Sequence, residues 1–150
     1  MPLQERVSIV HGDYRIDNMI FDAAKPRVAA VLDWELSTLG DPLADFTYFV
    51  MRWAMPADGR SGLAGLDLDA LGIPTMEDAV ARYCRLTERS GLPDLYWYFA
   101  YNLFRLAGIT QGIAGRVRDG TAASPRAAEA AARTEPLATA AWNFAVKAGA

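Results

Sequence analysis

Eight consecutive residues, His11-Gly12-Asp13-Tyr14-Arg15-Ile16-Asp17-Asn18, carry most of the chemistry this sequence can do. They have the form H-x-D-x-x-x-x-N, with Asn18 five residues after Asp13, and Asp33 follows fifteen residues after Asn18. Phosphoryl transfer from a nucleotide needs such a kit. One carboxylate orients an attacking hydroxyl and accepts its proton, while an amide oxygen and a second carboxylate hold Mg²⁺, a hard cation that takes oxygen ligands and bridges protein to phosphates. At ordinary residue frequencies the pattern arises by chance in a chain of this length on the order of one time in a hundred. The bland alternative is Asx chemistry in turns and at strand ends, which explains any one of these residues but not their joint spacing.

The elements that must position this string are short. Val7-Ser8-Ile9-Val10 is a β-branched run leading straight into His11. Met19-Ile20-Phe21 and Val28 to Leu32 are two more strand-like runs, separated by a turn from Asp22 to Pro26, and the second ends at Asp33-Trp34-Glu35. Loops on strand ends are where catalytic side chains usually sit. Gly40-Asp41-Pro42 opens a helix, with Asp41 at the N-cap, Pro42 at the first position and Asp45 in the first turn, and this helix stops by Pro56. Residues 56–74, with four glycines and a proline after Pro56, read as a long loop with at most a short turn of helix. Thr75-Met76-Glu77-Asp78 forms a capping box for a helix to about Ser90-Gly91, and Asp94 opens an aromatic helix over 95–118 that Gly120 ends. Ser124-Pro125 caps a last helix, bent where Pro136 removes a backbone donor. Strands precede residue 40 and helices follow it, which predicts an α+β fold, mainly helical, with a few short strands carrying the loops.

The 150 residues make one domain's worth of chain, and 1–150 is taken as a single domain. A net charge of −3 disfavours a general nucleic-acid binder, which needs a basic surface. A single cysteine allows no internal disulfide, and one cysteine with one histidine cannot build a Cys/His zinc site. The apolar stretch from Leu95 to Val117 carries Asn102, Arg105, Gln111 and Arg116, so no membrane span is expected. The opening residues are polar, without a targeting segment, and a cytoplasmic location is the expectation.

H-G-D-Y-R-I-D-N followed by V-L-D-W-E and G-D-P-L-A-D resembles the aminoglycoside phosphotransferase and choline kinase family, which shares the protein-kinase fold. Within it, Phe104 to Ile109 and Gln111-Gly112-Ile113 are similar to the branch found fused or adjacent to acyl-CoA dehydrogenases. The resemblance implies a kinase-like C-terminal lobe that moves the γ-phosphoryl group of ATP, with Mg²⁺, to a hydroxyl of a small molecule. It matches Asp13 to the catalytic aspartate, and Asn18 and Asp33 to the residues holding metal and nucleotide, with Asp-Trp-Glu standing where a D-F-G-type motif stands. It makes His11 a structural brace of the catalytic loop, Asp41 a second brace from the helix start, and Arg15 a cation near the transferring phosphate. Only ten residues precede His11, so the lobe that covers the phosphates is expected outside this chain.

Some residues carry two readings. Arg15 is a phosphate contact or a solvated loop cation, Glu35 a support for the metal or a surface carboxylate, and Asp41 and Asp45 are explained by capping alone. At 100° per residue Asn102, Arg105 and Arg116 share one stripe of the aromatic helix, which fits either an anchor for an anionic substrate group or an internal ion pair. Aromatics on nearly every face of that helix predict that it is central and buried, Trp142 and Phe144 read as packing residues, and Cys84 as an inert buried thiol. Aminoglycosides and hydroxyacyl thioesters are both open as substrates. The alternative function is a non-catalytic lobe acting through contacts to a missing N-terminal lobe, a dimer mate or an acyl-CoA dehydrogenase-type neighbour, because an apolar patch above the catalytic loop would be open.

Overall fold

The computed structural model describes residues 2–57 and 62–150, which group into two compact units, one of Leu3–Pro93 and one of Asp94–Ala150 together with Pro2. Residues 58–61 of the long loop, Gly59 among them, lie outside the described residues.

The first unit holds the strands. β1 (Ser8–Val10) pairs antiparallel with β4 (Thr38–Gly40), Val10 opposite Thr38 and Ser8 opposite Gly40. β2 (Met19–Phe21) and β3 (Val28–Val31) form an antiparallel hairpin, with a register irregularity between Ile20 and Phe21. Everything from His11 to Ser37 is therefore a closed excursion whose two ends are stitched together by the β1–β4 pair. The hairpin turn is built by Asp22, whose Oδ1 accepts from the amides of Ala24 (2.9 Å) and Lys25 (3.2 Å) and whose Oδ2 accepts from Arg27 Nε (2.9 Å). The Ala24 amide, then Arg27, hold the Asp22 carboxyl below its usual range. β4 is absent from the sequence expectation. It is three residues long and its partner lies some thirty residues upstream, so no local pattern announces it.

α1 (Pro42–Val50) starts where expected. Asp41 Oδ1 accepts from Leu43 N at 2.9 Å, and a 3₁₀ turn, Met51–Ala54, ends the helix before Pro56. Its Leu43, Thr47, Tyr48 and Val50 are buried, and Phe46 stacks on Tyr83 of α2 (Met76–Thr87) at 3.8 Å between ring centroids. Such an aromatic pair contributes about 0.5–1.5 kcal/mol beyond its burial. α2 is capped by Thr75, whose Oγ accepts from Asp78 N (3.1 Å) while its hydroxyl donates to Asp78 Oδ2 (2.8 Å). The helix ends at Thr87, short of the expected Ser90-Gly91. Glu88 is left-handed (φ 55°), and the Arg6 guanidinium donates to the last carbonyls, those of Thr87 and Glu88. Cys84 is buried on this helix.

The second unit is helical. α3 (Leu95–Arg118) buries Phe99, Leu103, Ala107 and Thr110, spaced four, four and three residues apart, which makes one stripe of a 3.6-residue helix. α5 (Thr134–Lys147) covers that stripe with Leu137 and Ala141, while Phe144 meets Phe99 edge-on at 5.3 Å and stacks on Tyr96 at 5.9 Å. Fully burying a side chain such as Phe99 or Leu103 stabilises by roughly 1.5–3 kcal/mol. The expectation of burial on all faces of α3 is corrected, since Phe104 is 72% exposed. Trp142, expected to pack, is 63% exposed. The bend at Pro136 is also corrected. α4 (Ala127–Ala131) and α5 are separate helices, and Pro136 falls in the first turn of α5, where its missing N–H has no intrahelical partner to lose. Among the described residues no helix is long and apolar enough to cross a membrane.

Candidate active site

The loop after β1 turns sharply at Gly12. Its φ is +84°, and a Cβ there would stand 2.5 Å from the Leu36 carbonyl oxygen, so only glycine fits. This turn places His11 inward, 2% exposed, and starts the loop that carries Asp13. His11 Nδ1 accepts from Asp13 N at 3.2 Å, which puts the ring proton on Nε2, and Nε2 donates to the Leu32 carbonyl at 2.7 Å. Trp34 lays its indole against the His11 ring, 4.7 Å between centroids, and donates from Nε1 to the Val31 carbonyl at 2.8 Å.

The same Leu32 is held from its other side, because its amide donates to the Asn18 carbonyl at 2.8 Å. Leu32 is thus bonded to the first and last residues of the H-x-D-x-x-x-x-N string, and Asp33 follows it directly. The Asn18 side chain closes the loop on itself, with Nδ2 donating to the Asp13 carbonyl (2.9 Å) and to Asp13 Oδ2 (3.1 Å). Two stretches of chain therefore meet at Leu32, the His11–Asn18 string and the segment that leads into Asp33. Asp33 is left-handed (φ 65°, ψ 52°), a conformation a residue with a Cβ adopts at a cost, and no hydrogen bond or ion pair engages its carboxylate among the described residues.

These side chains suit a magnesium ion bound with a nucleotide. With Nδ2 committed to Asp13, Asn18 has its amide oxygen left as a ligand atom, and Asp33 adds an unpaired carboxylate. An oxygen-only donor set with few protein ligands is what Mg²⁺ takes when phosphates complete its shell. Among the described residues no group of three or more His, Cys, Asp or Glu is gathered as a metal site, so an all-protein cage is not what is built.

Arg15 is half-exposed and paired with the carboxylate of Asp17. Burial works against its charge, but the hydrogen bond and charge of Asp17 outweigh that and hold its pKa above the ordinary value. Asp41 spends one carboxylate oxygen on the α1 cap. Asn102 and Arg105 lie on α3 in the other unit, Asn102 fully buried and Arg105 partly so, while Arg116 is exposed. Glu35 is exposed in the short 3₁₀ turn after Asp33.

The residue that the sequence reading missed is Asp45. Its carboxylate takes the backbone amides of both His11 and Gly12, the latter at 3.0 Å, and so fixes the start of the loop from α1. An acid in a helix's first turn is explained by the helix dipole alone, which hid this role. Asp45→Ala would strand two partly buried amides, and we expect it to lower stability by about 1–3 kcal/mol in urea unfolding, with Asp45→Asn recovering part of the loss.

Tyr48 stands one turn further along α1 and is 2% exposed. Burial, then the Asp13 charge beside it, push its phenol above the ordinary value of 10.0; burial does the same to Tyr83, against the pull of Arg89. The folded state therefore holds these protons more tightly than the unfolded chain. Their contribution to stability is complete below pH 10, the unfolded phenol's value, and is lost as pH rises through the higher folded values. Thermal melts taken between pH 8 and pH 11 should fall more steeply above about pH 10 for the parent than for a Tyr48→Phe variant.

The sequence pattern of the phosphotransferase enzyme family matches residues 1–83. A crystal structure of a Ralstonia eutropha JMP134 protein named for the aminoglycoside phosphotransferases is 50% identical and superposes with a TM-score of 0.89, covering 94% of this chain and 43% of that one. The mouse protein named acyl-CoA dehydrogenase family member 10 is 42% identical over 99% of the chain. The human protein named acyl-CoA dehydrogenase family member 11 is 38% identical over 87%. The chain spans only 14% and 17% of those two relatives.

Proposed function

The chain belongs to the phosphotransferase enzyme family, and from that premise we propose that it supplies the catalytic and metal-holding half of an ATP-dependent kinase for a small hydroxyl-bearing molecule. The observation that supports this reading is the double tether of Leu32 to His11 and Asn18, which ties the residue before Asp33 to both ends of the loop that holds the Asn18–Asp13 pair. In this reading Asp13 orients the acceptor hydroxyl and takes its proton as the oxygen bonds to the γ-phosphorus and the bond to ADP breaks. Asn18 and Asp33 hold the Mg²⁺ that neutralises charge on the phosphates. His11 and Asp41 brace the loop, and Arg15, freed from Asp17 on the nucleotide's arrival, offsets phosphate charge. Of the two substrate candidates on α3, Asn102 is buried and Arg105 is partly exposed.

The strand faces support the same reading from another side. Ile9 and Leu39 are 70% and 72% exposed, and Ile20 and Leu32 about half exposed, more apolar surface than three-residue strands normally show to water. Together with the 43% share of the Ralstonia chain, this supports a second lobe seated over the strands, supplying the remainder of the nucleotide site.

The test is a transfer assay on the full-length natural protein with γ-labelled ATP, Mg²⁺ and a panel of hydroxyl compounds that includes aminoglycosides and hydroxyacyl thioesters. A labelled phosphate ester is the expected result. Absence of any labelled product, with ATP left intact, would refute the reading.

A further inference from the structure

We propose that the outer face of α3 joins a second copy of this chain in an antiparallel, two-fold symmetric pair. The inference does not use the kinase reading and rests on α3 and α5 alone. The hydroxyls of Thr134 and Thr110 meet at 3.0 Å and Phe144 meets Phe99 at the other end, so α5 runs antiparallel to α3. Between the two helices lies an open groove of about 580 Å³, lined by Ala100, Ala138 and Ala145 and flanked by the exposed rings of Phe104 and Trp142. Trp97 and Tyr101 stack in parallel along it, 5.7 Å between centroids and 4° between planes. Contiguous aromatic surface of this kind marks a place where another surface docks.

The stripe of α3 that carries these rings changes character halfway along. Trp97, Tyr101, Phe104, Gly108, Gly112 and Gly115 fall within about 80° of arc, centred about 130° from the buried stripe. Rings fill the first half and glycines the second. Among the described residues a Cβ at Gly108 or Gly115 would meet no atom within 4 Å, and one at Gly112 only Arg116 Nη1 at 3.9 Å, so the space above the glycines is open.

A second α3 laid antiparallel, with the two-fold axis level with residue 106, sets each half against the other. Residue 106 is the midpoint of both 97–115 and 104–108, so Trp97 meets Gly115 of the second copy and Phe104 meets Gly108, and the symmetry repeats both contacts. Five helical turns separate Trp97 from Gly115, so the two point the same way. Glycine lets the backbones approach closely enough to seat the rings. In a parallel pair, ring would face ring and glycine face glycine. Charge agrees with the antiparallel sense. The stripe itself is uncharged, Asp94 at the start of α3 comes level with Arg118 at the end of the second copy, and the helix dipoles oppose. At 1.5 Å per residue and a width of about 10 Å, α3 and α5 together offer roughly 570 Å² per copy. That is close to the lower end of the roughly 600–1,000 Å² per partner of a specific interface, which fits a reversible dimer.

The test is sedimentation velocity of the full-length natural protein between about 0.1 and 100 µM, the range in which an interface of this size associates. A two-copy species that grows with concentration is the expected result. Gly108→Leu fills the space that the ring of the second copy takes, and should raise the dissociation constant at least about tenfold. At a concentration where the parent is monomeric, this variant should melt no lower than the parent, since leucine favours a helix over glycine and its Cβ meets nothing there. Phe104→Ala, at an exposed position, should weaken the pair as well. The double variant of Gly108→Leu with Phe104→Ala should associate more tightly than Gly108→Leu alone, because the smaller residue makes room for the leucine. A monomer at every concentration would overturn the proposal and leave the groove to another segment of the full-length protein. A dimer whose dissociation constant is unmoved by both Gly108→Leu and Phe104→Ala would also overturn it, since the copies would then pair through another face.

Discussion

Asp13→Ala is expected to lower phosphoryl transfer by about 10²–10⁴-fold, the range over which a positioned proton acceptor contributes, while leaving Mg·ATP affinity close to that of the parent. Among the described residues Asp13 makes no hydrogen bond to Leu32 or Asp33. Its amide donates to His11 Nδ1, and its carboxylate accepts from Asn18 Nδ2. The bonds from the His11 ring to the Leu32 carbonyl and from the Leu32 amide to the Asn18 carbonyl do not involve the Asp13 side chain, and Asn18 Nδ2 keeps its bond to the Asp13 carbonyl, so the pair proposed to hold the metal should stay in place when the carboxylate goes. Asp13 is partly exposed and is in no ion pair among the described residues, so the fold should tolerate loss of its carboxylate. Single-turnover transfer with labelled ATP measures the chemical step separately from binding. A variant that transfers at the parental rate would remove Asp13 from the mechanism.

Asp33→Ala should act at the other step. It deletes a carboxylate that has no partner among the described residues and that belongs to the residue after the doubly tethered Leu32. Mg·ATP should then raise the melting temperature of the parent and not that of the variant, because a ligand stabilises only the state that binds it. Loss of turnover should exceed about 100-fold, more than the usual effect of removing a group that merely supports a metal ligand. Folding is separable from binding here. Asp33 adopts a left-handed conformation that glycine reaches without the clash of a Cβ, so Asp33→Gly should melt no lower than the parent in the absence of nucleotide while losing the Mg·ATP response.

The order of the chain made the site more legible than the fold around it. His11, Asp13 and Asn18 lie within eight residues, and the two strand-like runs that follow lead to Asp33, so local pattern was enough to place them in one loop cluster. β4 was not legible, because a three-residue strand is defined by its pairing with β1 and not by its own composition. The role of Asp45 was hidden behind an adequate local explanation, the helix dipole, and only its contact with amides more than thirty residues upstream reveals it. The spacing of Asp45, Tyr48 and Arg52 is the signal that could have drawn attention to that helix face. On α3 the aromatic content overstated burial. The helix buries Tyr98 and the stripe that meets α4 and α5, while Tyr96, Tyr101 and Phe104 are exposed. At Pro136 the break was expected as a bend because a proline's lost donor matters only in a helix interior, and the helix simply begins two residues before it.

The most direct measurement is a calorimetric titration of Mg·ATP into the full-length protein, its Asp13→Ala variant and its Asp33→Ala variant. Parental binding in Asp13→Ala together with its loss in Asp33→Ala is the predicted result, because it assigns chemistry to the first carboxylate and the metal–nucleotide complex to the second. Undiminished Mg·ATP binding in Asp33→Ala would contradict the assignment of Asp33, and with it the reading of this loop cluster as a phosphoryl-transfer site.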